Sequence, residues 1–416
     1  MISFLRDYIR FKSINPEITI EREETQNEEC QRWLSDQFNG FGCFEKVDIW
    51  HIEKGKPNVV GVVKGDGGGR DLMFYGHSDV VRVTEEQVRN WSGPGPWSGE
   101  LKNGEVWGRG ATDMKGGITA FIYALKLVHE AGVKLKGNTI LATCSAEETA
   151  HHQIGPDSVV ERGYTAPLLI SAEGNNLQIG VAALGLFYFR LTVYGKSSHN
   201  SRRYMCIYPT PFGLEPPGVN AIEKMLKFIS AYSDLERQWG IYQKHPISPP
   251  GGMTIEPMII KGGEYKASTP DSCQATYTVY FNPGLRANNV MNEVKAITER
   301  IIEDDYWMKS HKPKMEMPVI EPAFEPFETS LDHAGVRTLA QSFREATGTE
   351  PIIACHHAVG DENWFAQKGL TVVVHGPGAL DTAHGVDERI SVDEMIRACK
   401  SYACMIINWC GVSEVR

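Results

Sequence analysis

Residues 71–79 read Asp-Leu-Met-Phe-Tyr-Gly-His-Ser-Asp: an apolar strand over 71–75 that runs out into Gly76-His77-Ser78-Asp79. Four other segments share this habit. Gly108-Arg109-Gly110-Ala111-Thr112-Asp113-Met114-Lys115-Gly116-Gly117 opens a helix, and Ser145-Ala146-Glu147-Glu148 follows an apolar strand over 138–143. Ser171-Ala172-Glu173-Gly174 follows the strand 167–171, and Gly376-Pro377-Gly378, after the strand 371–374, leads to Ala383-His384 and Asp387-Glu388. Ligand sites in open α/β sheets form at the carboxyl ends of strands. Charged clusters in those places therefore read as one site gathered from distant parts of the chain.

Working outward, helical patterns cover 4–14 and 24–38, with strand patterns at 45–52 and 58–63. Gly65-Asp66-Gly67-Gly68-Gly69 gives a hairpin signal between 58–63 and 71–75. Ile118, Phe121, Ile122, Leu125 and Val128 mark one face of a helix over 115–130. Strands alternating with helices predict an α/β sheet with helices on both faces. The pattern changes near residue 183. Residues 186–194 alternate apolar and polar, followed by helices at 219–235 and 287–302 and strands at 253–260 and 274–281. That run predicts a small α+β insert. The α/β signature returns with a helix over 330–347 closed by Gly348, and a helix over 391–409 opened by a capping box, Ser391 to Glu394. The expected layout is a discontinuous catalytic domain, 1–183 with 306–416, around an insert at 184–305. The Pro-rich stretch Pro209–Pro217 reads as a long ordered loop.

Composition narrows the partners. The 416 residues are 42% hydrophobic, enough for a sizeable core, and 42 basic against 52 acidic residues leave a formal charge of −10. That balance argues against nucleic acid as a partner. No apolar run approaches the roughly 18–20 residues that span a bilayer. Residues 1–14 carry Arg6, Asp7, Arg10 and Lys12 where a signal peptide would have an uninterrupted apolar stretch. Nine cysteines occur without a CxxC pair, which suggests reduced thiols and a cytoplasmic protein.

Taken singly, each polar cluster has an ordinary explanation: a core histidine, a solvated Glu-Glu turn, a helix-capping Asp. Jointly these explanations must all hold at the ends of successive strands of one sheet. His77, Asp79, Asp113, Glu147, Glu148, Glu173 and His384 cannot gather in a low-dielectric crevice uncompensated. Divalent metal resolves the conflict, and nitrogen and oxygen donors without thiolate suit zinc, manganese or cobalt.

The five ordered blocks resemble the dinuclear metallohydrolase family that includes acetylornithine deacetylase, succinyl-diaminopimelate desuccinylase, aminoacylase and carboxypeptidase-like enzymes. The resemblance spans nearly the whole chain. It implies a catalytic α/β domain with an inserted lid that mediates homodimerisation, and one or two divalent metal ions. It implies that Asp113 bridges two metals, that His77 and Glu173 complete one, and that Glu148 and His384 complete the other. Glu147 would be the general base acting on metal-bound water, and Asp79 would orient the His77 ring through its carboxylate. His199, in Gly195-Lys196-Ser197-Ser198-His199-Asn200, would steady the oxyanion from the lid. A cis peptide after Asp113 is also implied. The expected reaction is hydrolysis of a C–N bond in a small molecule, with N-acyl amino acids as the default substrates.

Several departures bear on the substrate. Thr149-Ala150-His151-His152 follows the Glu-Glu pair, Ser268 stands where the family has an Asn, and Tyr280 stands where the family has an Arg that grips a carboxylate. Arg202, Arg203 and Arg286 are candidates to replace that Arg, and His151 and His152 are candidate substrate contacts. The stretch His356-His357-Ala358-Val359-Gly360-Asp361 resembles the family's Thr-Asp-Ala region, with Asp361 in a supporting role. Two alternatives remain. One is hydrolytic deamination of an amino-substituted aromatic acid, as in the family member 5-nitroanthranilate aminohydrolase. The other is a catalytically silent binding protein on the same fold.

Overall fold

The computed structural model describes residues 1–19, 24–149, 151–207 and 215–415. The Pro-rich stretch falls largely outside the described residues, as does Ala150. The chain divides into two units, Met1–Ala182 with Phe327–Arg416, and Ala183–Pro326.

The first unit is built on a nine-stranded mixed sheet. Its centre is four parallel strands in the order Thr139–Cys144, Leu72–His77, Leu169–Gly174 and Val372–Gly376. All four are buried throughout, as expected of strands covered on both faces. Alternation along one strand shows the two layers. The ring of Phe74 lies 4.1 Å from Phe121 on the helix Gly116–Glu130 and 5.6 Å from Tyr402 on the helix Val392–Cys410. Its neighbour Tyr75 faces the other way, with its ring 5.0 Å from Phe365 on the helix Asp361–Gln367. Successive side chains of a strand point to opposite faces, so helices cover both.

The Gly65–Gly69 signal has a different cause from the one expected. The strands Lys56–Val63 and Leu72–His77 are not neighbours, because Thr139–Cys144 lies between them. A Cβ on Gly65 would stand 2.4 Å from the Lys136 carbonyl oxygen, and one on Gly69 would stand 2.1 Å from that of Cys410. These glycines admit close backbone approach instead of turning a hairpin.

The second unit is a four-stranded antiparallel sheet in the order Thr254–Gly262, Ser272–Phe281, Gly185–Tyr194 and Lys314–Glu316. The helices Ala221–Tyr242 and Ala287–Glu303 bury Phe228, Tyr232, Val290 and Val294 in its core. The unit continues to Pro326, where the expected boundary stood at 305. Residues 314–316 pair with Arg190–Thr192 and so add a strand to this sheet. Among the described residues, no helix is long and apolar enough to cross a membrane.

Asp305 fastens the second unit's helices. Its carboxylate accepts from the backbone N–H of Trp307 and Met308 at 3.0 Å, and it pairs with Lys224 at 2.7 Å and Lys227 at 2.6 Å. Burial opposes the charge, but the two lysines and the backbone donors pull its pKa down to about 2. A carboxyl whose folded pKa is depressed contributes stability above its unfolded value near 4, and loses it as pH falls through about 2. Asp305→Asn should therefore cost about 1–2 kcal/mol at neutral pH. That penalty, measured by urea unfolding, should shrink at pH 3. A penalty unchanged between pH 6 and 3 would show that charge is not involved.

Candidate metal centre

The parallel strands deliver the polar clusters to one edge of the sheet. His77 ends Leu72–His77, Glu147 and Glu148 follow Thr139–Cys144, Glu173 lies in Leu169–Gly174, and His384 lies in the loop beyond Val372–Gly376. Asp113 arrives from the turn before the helix Gly116–Glu130, and its peptide to Met114 is cis.

Asp113 is the junction of the cluster. Its Oδ1 lies 3.0 Å from His77 Nε2, and its Oδ2 lies 3.0 Å from His384 Nε2. Glu173 Oε1 approaches His77 Nε2 to 3.3 Å, and Glu148 Oε1 approaches His384 Nε2 to 3.0 Å. Two groups of donors, His77 with Glu173 and His384 with Glu148, thus share one carboxylate. Ligating atoms of His77, Asp113 and Glu148 all fall within 4.8 Å of one another.

The backbone around Asp113 is set by Glu388. This buried carboxylate takes Arg109 Nη1 on Oε2 at 2.5 Å, and the N–H groups of Thr112 and Asp113 on Oε1 at 3.1 and 3.3 Å. Arg109 also donates to the Gly385 carbonyl at 3.1 Å, which ties the His384 loop to the Asp113 turn.

Asp79 works differently from expectation. His77 Nδ1 lies 2.9 Å from the Asp79 main-chain oxygen, a carbonyl that can only accept. Nδ1 therefore carries the proton and Nε2 is left as the donor to a metal. The Asp79 carboxylate is 3.8 Å from that ring. It accepts instead from the N–H of Glu147 at 3.3 Å and of Glu148 at 2.9 Å, and from Asn15 Nδ2 at 2.7 Å. The carbonyl orients the imidazole, while the carboxylate shapes the Glu-Glu turn.

Electrostatics agree with a cation site. Burial, helped by the Asp113 charge, pushes Glu148 up to about 8 and Glu173 up to about 7. Against burial, Asp113 and Glu148 raise His384 to about 11. Burial also opposes a proton on His77, yet Glu147, Asp113 and Glu173 lift it well above its ordinary value. Among these side chains alone, protons balance the carboxylates. Divalent cations would displace those protons. Three carboxylates and two imidazoles without a thiolate fit such ions.

Other expected residues divide. Asp361 is buried and accepts from the Tyr75 hydroxyl, a supporting role. His152 Nδ1 lies 3.5 Å from Glu147 Oε1, whereas His151 is exposed, with Nδ1 3.4 Å from Glu17 Oε2. In the second unit, His199 is exposed and its Nδ1 lies 2.8 Å from Ser201 Oγ. Arg202 and Arg286 are exposed, and Arg203 forks onto Glu223, with Nη1 at 2.8 Å from Oε2. Tyr280 pairs with Leu186, while Ser272, at the opposite end of the same strand, pairs with Tyr194 next to the His199 loop. That separation is roughly 25 Å along an extended strand. Within this unit, Tyr280 cannot share a subsite with Arg202 or Arg203, because strand register holds them apart. Two residues escaped the sequence reading. Asn15 belongs to no motif, yet it is buried and donates to the Asp79 carboxylate. Glu362 is fully buried, with Oε1 3.8 Å from His356 Nε2 and neither oxygen hydrogen-bonded among the described residues.

Residues 73–408 match peptidase family M20/M25/M40. The chain belongs to that family. It is 32% identical over 395 residues to N-formyl-4-amino-5-aminomethyl-2-methylpyrimidine deformylase of Bacillus subtilis (strain 168), an alignment covering 92% of this chain and 90% of the relative. It is 26% identical over 363 residues to succinyl-diaminopimelate desuccinylase of Wolinella succinogenes, covering 85% and 87% respectively. Among solved structures, an M20 family metallo-carboxypeptidase from Sulfolobus solfataricus superposes with a TM-score of 0.72 at 19% identity, covering 98% of each chain. The protein is a metal-binding hydrolase of C–N bonds of the amidohydrolase and deacylase kind. This sets aside the silent scaffold and ranks amide hydrolysis ahead of ring deamination.

Asp79 gives a test of the turn. An asparagine offers one accepting oxygen where the carboxylate uses two, and an alanine offers none. Asp79→Ala should lower kcat by about 100-fold and Asp79→Asn by less, since small misplacements of catalytic groups are costly. Equal turnover in wild type and Asp79→Ala would show that the turn holds without this carboxylate.

Proposed function

We propose that the chain removes a short acyl group, formyl foremost, from the nitrogen of a small amine that carries a planar heteroaromatic ring. Two supports meet here: the deformylase relationship over 92% of the chain, and the Asp113 carboxylate poised between two imidazoles. The second carries the reading, because a carboxylate that faces two donor groups at equal distance suits a pair of cations.

His77, Asp113 and Glu173 would hold one ion, and Asp113, Glu148 and His384 the other, with zinc, manganese or cobalt suited to the donors. Such ions supply polarisation of the acyl oxygen and a water pKa near 7. Glu147 is the base. Its Oε2 faces His77 at 3.9 Å, on the cluster side, and its carboxyl is buried. Burial raises its pKa, but His77 and His152 hold it below the ordinary carboxylate value. Glu147 takes a proton from the attacking water and returns it to the departing nitrogen. The amide C–N bond breaks, a C–O bond forms, and the products are the free acid and the free amine.

The remaining expectations join this reading. The outer strand Thr254–Gly262 exposes Met258, Ile259 and Ile260 along an open edge, which suits pairing with a second copy of the chain. His199 would then serve the oxyanion of the facing subunit. Free cysteines among the described residues suit a cytoplasmic setting.

The metal-loaded protein should be offered an N-formyl aminomethyl-aminopyrimidine, N-acyl amino acids and amino-substituted aromatic acids, with products read by mass spectrometry. Formate with the free amine is expected. Ammonia with a hydroxylated ring would overturn the proposal in favour of ring deamination. Glu147→Gln should keep its metal and its fold, yet lose roughly 10²–10⁴ in kcat. Near-normal turnover in that variant would remove Glu147 as the base.

A further inference from the structure

The sequence marks the two imidazoles after the Glu-Glu pair alike, as candidate substrate contacts, and the structure separates them. Glu17 claims the outer one. Its carboxylate meets His151 Nδ1 at 3.4 Å and also pairs with the buried Lys56 amine. Burial raises the Glu17 pKa, but Lys56 holds it below the ordinary value, so the anchor is charged. With His151 drawn outward, His152 turns inward. Its side chain is 19% exposed, against 60% for His151.

We infer that His152 is a positioning residue for Glu147, holding Oε1 of the carboxylate so that Oε2 stays turned to the metal cluster. The inference rests on Glu147 being the base. Three distances support it. Oε1 lies 3.5 Å from His152 Nδ1, Oε2 lies 3.9 Å from His77 Nε2, and a Cβ on Gly360 would come within 3.1 Å of Oε1. The φ of Gly360 is −163°, an extended value that any residue adopts. Its bare Cα therefore matters for space: it leaves room for Oε1 and for the neighbouring Glu362 carboxylate. The terminal torsion of a glutamate is broad. One donor on Oε1 narrows it, and with it the direction in which Oε2 presents its lone pair to the proton it must take. At 3.5 Å the contact is an ion-pair approach, longer than a closed hydrogen bond; closing it needs the His152 proton on Nδ1, with the ring as donor and the carboxylate as acceptor.

The test uses the full-length, metal-loaded protein and a formamide substrate, and compares wild type with His152→Ala, His152→Asn and Glu147→Gln. Asparagine carries an N–H donor on the same branch position as Nδ1. His152→Ala should lose about tenfold or more in kcat, with KM changed by less than about twofold. Metal content and thermal midpoint should match wild type. His152→Asn should recover most of the loss, and His152→Ala should add little in the Glu147→Gln background, as expected of residues acting as a unit. Unchanged kcat in His152→Ala would overturn the inference. So would a raised KM with unchanged kcat, which would mean that the ring touches substrate, or a folded, metal-loaded His152→Asn no better than alanine. Near-normal turnover of Glu147→Gln would sink the base assignment and the inference with it. A dead Glu147→Gln beside a normal His152→Ala would sink the inference alone.

Discussion

A single buried carboxylate placed between two imidazoles is expensive, and much of the first unit serves to hold Asp113 in that position. Its two oxygens stand 3.0 Å from His77 and 3.0 Å from His384, residues far apart in the chain. An unfixed side chain would rotate away from one of them. Glu388 fixes the backbone from which that side chain projects, by accepting from the N–H of Asp113 itself, and Arg109 carries the same fixation across to the His384 loop. The ion pair between Arg109 and Glu388 is fully buried, where pairing alone repays little of the desolvation cost. Its return is geometric: it fixes two segments that must meet.

The same division of labour runs through the Glu-Glu turn. Asp79 supplies a carbonyl to the His77 ring and a carboxylate to the Glu147–Glu148 backbone, and Asn15 from the first loop of the chain steadies that carboxylate. In the proposed reaction, side chains that would touch the reacting groups are thus set by others that would not. Such outer contacts commonly control how well a metal or a base is aimed.

Much of this was legible because the contrast is local. An apolar strand ending in His77 or Glu173 announces a strand terminus that faces a site, whatever the rest of the chain does. The helix Gly116–Glu130 and the capped start of Val392–Cys410 were readable from periodicity and from Ser391 for the same reason. What escaped depends on partners distant in sequence. The glycines at 65 and 69 respond to Lys136 and Cys410, and the short strand Lys314–Glu316 gains its identity only by pairing with Arg190–Thr192. That Tyr280 lies at the opposite end of its strand from Arg202 and Arg203, candidates to replace its missing Arg, follows only from the strand register. The sequence names Asp79 but not which of its oxygens faces His77.

The interruption of the first unit also has a temporal side. The ligand candidates leave the ribosome in the order His77, Asp113, Glu148, Glu173 and His384, with the whole of Ala183–Pro326 between the last two. The second unit is continuous and can collapse during synthesis, while the first unit still lacks the strand Val372–Gly376 and the helix Val392–Cys410. Until those segments emerge, Asp113 has only one of its two imidazoles and no Glu388 beneath it. The cluster is therefore completed late: a chain made only as far as Ala183–Pro326 already holds four of the five ligand candidates, and His384 with the Glu388 brace joins them only after the second unit has been made.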